Sequence, residues 1–101
     1  MARLLVDRAH TAGLAVAQKN GAELLDRDLG FDLAVTEDCA VYDECADYAA
    51  AYEVVLDVEY TAAGFARACA AAPAGVSVVR RDLAVSLPGT PGYVAEWCEA
   101  R

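Results

Sequence analysis

The chain has 101 residues, 57% hydrophobic and 24% charged, and its 16 Asp and Glu against 8 Lys and Arg leave a formal charge of −8. This length allows one modest core, and the apolar content exceeds the roughly 45–50% of an average globular protein, which excludes a second full domain and a disordered tail. A sequence pI of about 4.4 argues against nucleic acid, whose phosphates need clustered Lys and Arg, and suits a cationic partner.

Arg3 to Ala12 has helical composition, and Gly13 turns the chain into a first apolar run, Leu14 to Ala17. Ala22 to Asp28 is again helical, followed by Gly30 and the run Phe31 to Val35. A third helix is expected over Ala40 to Ala51, then a run at Val54 to Val58, then a fourth helix over Ala62 to Ala72 that Pro73 helps to stop. After Gly75 come the run Val76 to Val79 and an expected last helix over Pro91 to Glu99. The four runs are rich in Val and Leu, too short for helices and bounded by Gly or charge, the pattern of parallel strands buried on both faces. No run approaches the roughly 18–20 apolar residues of a membrane helix, and Asp7 interrupts the place where a signal peptide's apolar segment would begin. Neither a membrane span nor a secretion signal is therefore expected.

One helix followed by four βα units, joined by right-handed crossovers, implies an α/β domain over residues 1–101 with four parallel strands. Such units build either a small open sheet or part of a (β/α)8 barrel, which typically needs about 250 residues. Four units make half of that barrel. A half barrel alone leaves open sheet edges and an uncovered apolar face, so it should dimerise, aggregate or need its other half.

Polar clusters follow each strand: Gln18-Lys19-Asn20, Thr36-Glu37-Asp38-Cys39, Glu59-Tyr60 and Arg80-Arg81-Asp82. In parallel α/β proteins these strand ends share one rim, where barrel enzymes place their chemistry. Carboxylates there suit glycoside hydrolysis, which uses one acid to protonate the leaving oxygen and another to attack or stabilise the anomeric carbon. Glu37 and Glu59, on neighbouring strands, are the candidates; closeness would raise one pKa and keep that acid protonated. The plainer alternative is that one or both hold Lys19 or Arg81 in structural ion pairs. Tyr42, just past Glu37, offers a ring that could stack on a sugar.

Cys39, Cys45, Cys69 and Cys98 lack C-x-x-C spacing, which disfavours a zinc site and favours disulfides in an oxidising compartment, although buried free thiols are the alternative. Three connectivities stay open, with Cys39 and Cys45 the closest pair in sequence. His10 is the sole histidine and lies far from any nucleophile, and no phosphate-binding glycine loop occurs, so neither a Ser-His-Asp triad nor a nucleotide site is expected.

The strings Gly13-Leu14-Ala15-Val16-Ala17-Gln18-Lys19-Asn20, Phe31-Asp32-Leu33-Ala34-Val35-Thr36-Glu37-Asp38-Cys39, Tyr42-Asp43-Glu44-Cys45, Val58-Glu59-Tyr60 and Arg81-Asp82-Leu83 resemble those of the endo-α-1,4-polygalactosaminidases, glycoside hydrolase family 114. The resemblance runs from about Ala9 to Cys98 and implies the C-terminal half of a TIM-like barrel acting outside the cell or at its surface. It implies hydrolysis of α-1,4-linked galactosamine polymers, a cationic polysaccharide that matches the acidic chain, without metal or organic cofactor. Glu37 then belongs to the catalytic acid pair and Glu59 is a second carboxylate, while Lys19, Asn20, Tyr42, Tyr60, Arg81 and Asp82 are expected substrate contacts. Thr36 stands where the family has Asn. The family's other acid, an Asp in a D-N-x-D-like segment ahead of the G-L strand, has no counterpart here, so the acid pair is expected to be incomplete. The alternative is a half-barrel remnant or a binding module for cationic polysaccharide, held together as a homodimer.

Overall fold

The computed structural model describes residues 2–98. In chain order it contains α1 (Ala2–Thr11), β1 (Ala17–Lys19), a 3-10 helix (Ala22–Arg27), β2 (Leu33–Glu37), α2 (Cys45–Ala51), β3 (Val55–Glu59), α3 (Ala62–Ala71), β4 (Val76–Arg81) and β5 (Ala95–Trp97). One sheet runs β1-β2-β3-β4-β5, with the first four strands parallel and β5 antiparallel to β4. The four parallel strands and their helical connections form the expected portion of a barrel.

The last element departs from expectation. Pro91 to Trp97 is not helical, and Ala95–Trp97 lies as a strand on the edge of β4 (Glu99 falls outside the described residues). Three contacts hold this stretch extended. The Arg81 guanidinium donates to the Val94 carbonyl, the Asp82 carboxylate takes the Val94 amide, and the Cys69–Cys98 disulfide ties the strand end to α3. Ala95-Glu96-Trp97 fits a period of two as well as a helical one, and these contacts select the former.

Smaller shifts have local causes. Leu14 is exposed and β1 begins only at Ala17, because the Asp32 side chain takes the Val16 amide and the sheet register starts with Ala17 beside Leu33. The segment ahead of α2 is a turn, since the Cys39–Cys45 disulfide and the bond from the Glu44 amide to the Cys39 carbonyl fold residues 39–45 on themselves. Gly75 takes φ 92 and approaches so close to the chain that an added Cβ would lie 2.8 Å from the Glu53 carbonyl oxygen, which explains a glycine at this entry to β4.

Burial alternates along the strands and divides the sheet into two faces. Ala34 and Thr36 of β2, Val55, Asp57 and Glu59 of β3, and Val76 and Val78 of β4 are buried under α2 and α3 with Tyr48, Ala68 and the Cys39–Cys45 pair. The opposite face, corresponding to a barrel interior, carries Val35, Glu37, Leu56, Val58 and Val79; Leu56 is 41% exposed and Trp97 of β5 71% exposed. This face has no second layer among the described residues.

Candidate active site

Glu37 ends β2 on the open face, and three donors converge on its carboxylate. Lys19 Nζ lies 2.9 Å and Asn20 Nδ2 3.0 Å from Oε1, while the Tyr60 hydroxyl donates to Oε2 at 2.6 Å. Asn20 also accepts the Glu37 backbone amide on its Oδ1 at 2.9 Å, so one side chain fixes both ends of the residue. The Tyr60, Lys19 and Asn20 bonds bring the Glu37 pKa down to about 2, and the same carboxylate raises the Tyr60 phenol to about 12. Glu37 is an anion throughout the neutral range.

The rim is built by a repeated device. Asn20 and Asp38 directly follow β1 and β2 with φ 54 and 55, a left-handed conformation that Asn and Asp adopt more readily than other non-glycine residues. Each sends its amide to the next strand, at the Val35 and Val58 carbonyls, and each side chain accepts an amide one step further, from Glu37 and Tyr60. Successive strand ends are thereby locked to one another, and Glu37 and Tyr60 are presented side by side.

Beside Glu37 opens a shallow cleft of about 380 Å³ whose lining includes Glu23, Asp38, Glu44, Tyr42 and Tyr60. Four carboxylates, counting Glu37, and phenol rings face one concavity. Tyr42 is 67% exposed and free to present its ring. Glu23, Asp38 and Glu44 were not singled out from sequence; the available signal was Asp38 itself, an acid directly beyond a strand.

A larger groove of about 1150 Å³ lies along α3 and β4 between Phe65 and Trp97. Among the described residues lining it the ionisable side chain is Glu96, which pairs with Arg80 at 3.0 Å.

The other expected site residues separate into two groups. Arg81 donates to the Val94 and Ser86 carbonyls and lies 5.3 Å over the Tyr93 ring. Asp82 accepts the Ser86 amide and hydroxyl and the Val94 amide, bonds that hold its carboxyl well below the usual range. Both order the loop between β4 and β5 rather than facing the Glu37 cleft.

Glu59 is the main correction. The register partner of Glu37 is Val58, so Glu59 points to the opposite face, where it is fully buried beneath α3. Its pKa rises to about 8, chiefly through burial and then through Asp57, not through Glu37. The expected acid pair formed by closeness of Glu37 and Glu59 does not exist in this geometry. Cys39, Cys45, Asp57 and Glu59 each bring one ligand-type atom within 4.8 Å of the others, but the two sulfurs are bonded to each other. A metal site there would require that disulfide to open.

A family model for glycoside hydrolase family GH114 matches residues 1–101, and the chain belongs to this family. Among solved structures, Aspergillus fumigatus Ega3 in complex with galactosamine superposes with a TM-score of 0.75 at 23% identity over 96% of this chain and 43% of its own. The chain thus spans less than half the length of that protein. A comparison with curated protein sequences finds no match. The fold is that of part of a TIM-like barrel.

Proposed function

We propose that these residues form one half of the rim of a hydrolase acting on α-1,4-linked galactosamine polymers. The observation carrying this reading is the Glu37 carboxylate, held ionised by Lys19, Asn20 and Tyr60 at the end of a barrel strand beside an acidic, tyrosine-lined cleft. An anion so placed can attack the anomeric carbon, or take a proton from the attacking water, and stabilises the positive charge that develops on the sugar ring. It is not a proton donor. The acid that protonates the leaving oxygen therefore belongs to the other half of the rim, and Glu59 has no part in the chemistry.

Substrate recognition follows from charge. The ammonium groups of deacetylated galactosamine suit Asp38, Glu44 and Glu23, and Tyr42 suits a sugar face. The reading is supported by family membership and by the galactosamine held in Ega3. Two disulfides, Cys39–Cys45 and Cys69–Cys98, fit an oxidising compartment and hence action outside the cell or at its surface. Release of galactosamine oligomers by a complete barrel carrying these residues, and its loss in Glu37→Gln with folding kept, tests the assignment; unchanged turnover refutes it.

The open face favours a second reading for the chain by itself, a polysaccharide-binding half barrel that self-associates. Leu56 and Trp97 are exposed on the face that a barrel interior would bury. Light scattering on the isolated chain should give a dimer or larger, and a monomer with a cooperative melt opposes this reading.

A further inference from the structure

The Glu59 side chain and Asp57, two residues before it on β3, lie outside the cleft. They stand on one face of β3, 0% and 1% exposed. Asp57 Oδ1 accepts the Thr36 hydroxyl at 2.7 Å and the Cys39 amide at 3.2 Å, and Glu59 Oε2 accepts the Ala40 amide at 3.1 Å. The remaining oxygens, Asp57 Oδ2 and Glu59 Oε1, have no hydrogen-bond donor. One oxygen of each carboxyl lies within 4.8 Å of the other. Two bare carboxylates this close in a dry interior would repel strongly; a proton on Glu59, in the side-chain hydrogen bond with Asp57 that helps raise its pKa, removes the repulsion.

Charged groups on the surrounding elements do not supply an alternative. Arg80 is the register partner of Glu59 on β4, yet its Nη1 pairs with Glu96 at 3.0 Å and its buried Nε reaches no acceptor, neither carboxyl of the pair included. Arg67 of α3 and Asp43 line a crevice with the Cys39–Cys45 disulfide, and Asp47 of α2 faces the 3-10 helix. Asp38, the nearest loop acid, is spent on the Tyr60 amide and adds negative charge. The first turn of α3 brings no charge. Gly64 there leaves the space that Glu59 Oε1 occupies, an added Cβ falling 2.6 Å from that oxygen.

We propose that Glu59 carries a proton that it donates to Asp57, and that this carboxyl pair positions the loop of residues 38–44 beside Glu37. The pair grips the start of that loop by the Cys39 and Ala40 amides. The same loop carries Asp38, which anchors the Tyr60 amide, and Tyr42 and Glu44 of the cleft. Glu59 and Asp57 are positioning residues. Their consequence for catalysis rests on the reading of Glu37 as the reactive carboxylate; the proton itself does not.

The test is amide hydrogen exchange of Cys39 and Ala40 in the disulfide-bonded chain, expressed as protection relative to the unfolded chain and followed across pH. In the wild type, protection should hold in mild acid and fall at least about tenfold as pH rises past the value at which Glu59 ionises, about 8. Glu59→Gln reproduces the protonated shape, its amide donating to Asp57 and its carbonyl accepting from Ala40, so protection should persist without the alkaline fall. Flat protection in the wild type overturns the proposal, as does an alkaline fall retained in Glu59→Gln or failure of that variant to fold. Because exchange reads the loop and not hydrolysis, an inactive barrel with the expected exchange contradicts only the glycosidase reading, and flat exchange in an active barrel contradicts only the proton pair.

Discussion

Glu37 and Glu59 leave adjacent parallel strands on opposite faces of the sheet, one ionised at an open rim and the other buried under α3. A register offset of one residue decides which acid meets solvent. It gives the two glutamates opposite pKa displacements, and most of the expected behaviour follows from that difference.

Tyr60→Phe removes the shortest donor to Glu37 while keeping the ring. The Glu37 pKa should rise from about 2 toward its ordinary value, read directly by carbon NMR of the side-chain carboxyl. The stability cost should be modest, about 1 kcal/mol, as for one hydrogen bond at a partly solvated site. An unchanged Glu37 titration would show that Lys19 and Asn20 alone hold the anion.

The same depressed pKa fixes the sign of the acid response. Folding favours ionised Glu37, so its contribution is fully present above its unfolded value of 4.5 and is lost as pH falls through about 2. Urea midpoints measured down this range should decline less steeply in Glu37→Gln than in the wild type. Parallel declines would contradict the assignment.

Gly64→Ala places a methyl group 2.9 Å from Val41 Cγ2 and 2.6 Å from Glu59 Oε1, and the Glu59 side chain is fully buried. Overpacking of this kind costs about 1–3 kcal/mol, despite the better helix propensity of Ala. Denaturation with both disulfides intact checks it. A neutral or stabilising change would mean that the buried carboxyl is more mobile than its contacts imply.

The disulfides should differ in worth. Cys69–Cys98 closes a loop with sequence separation 29, against 6 for Cys39–Cys45, so by chain entropy its removal should cost roughly 1 kcal/mol more. It also releases β5 from α3. Paired Cys→Ser variants compared by urea unfolding test the order, and the reverse order would place the larger effect in the turn of residues 39–45 beside Asp57.

Much of the architecture was legible in the sequence because short Val- and Leu-rich runs between alanine-rich segments leave little choice but parallel strands. Glu37 was legible for the same reason, as an acid directly beyond such a run. The facing of Glu59 was not, since strands covered on both faces hide their parity; Asp57, two positions earlier, held the available clue that polar residues share a face there. The final strand was obscured because Ala95-Glu96-Trp97 satisfies both periods, and what decides between them is distant: Arg81, Asp82 and the Cys69–Cys98 bond. The latching roles of Asn20 and Asp38 depend on a left-handed backbone that composition alone does not reveal.

The most direct measurement is cleavage of α-1,4-linked galactosamine oligomers by a complete barrel carrying these residues, compared between wild type, Glu37→Gln and Glu59→Gln. Glu37→Gln should lose at least about a thousandfold in turnover with its melting transition kept, as expected when a group acting on the reacting centre is neutralised, whereas Glu59→Gln should keep measurable activity near neutral pH. Full activity in Glu37→Gln, or equal loss in both variants, would contradict the assignment of one rim carboxylate and one buried positioning acid.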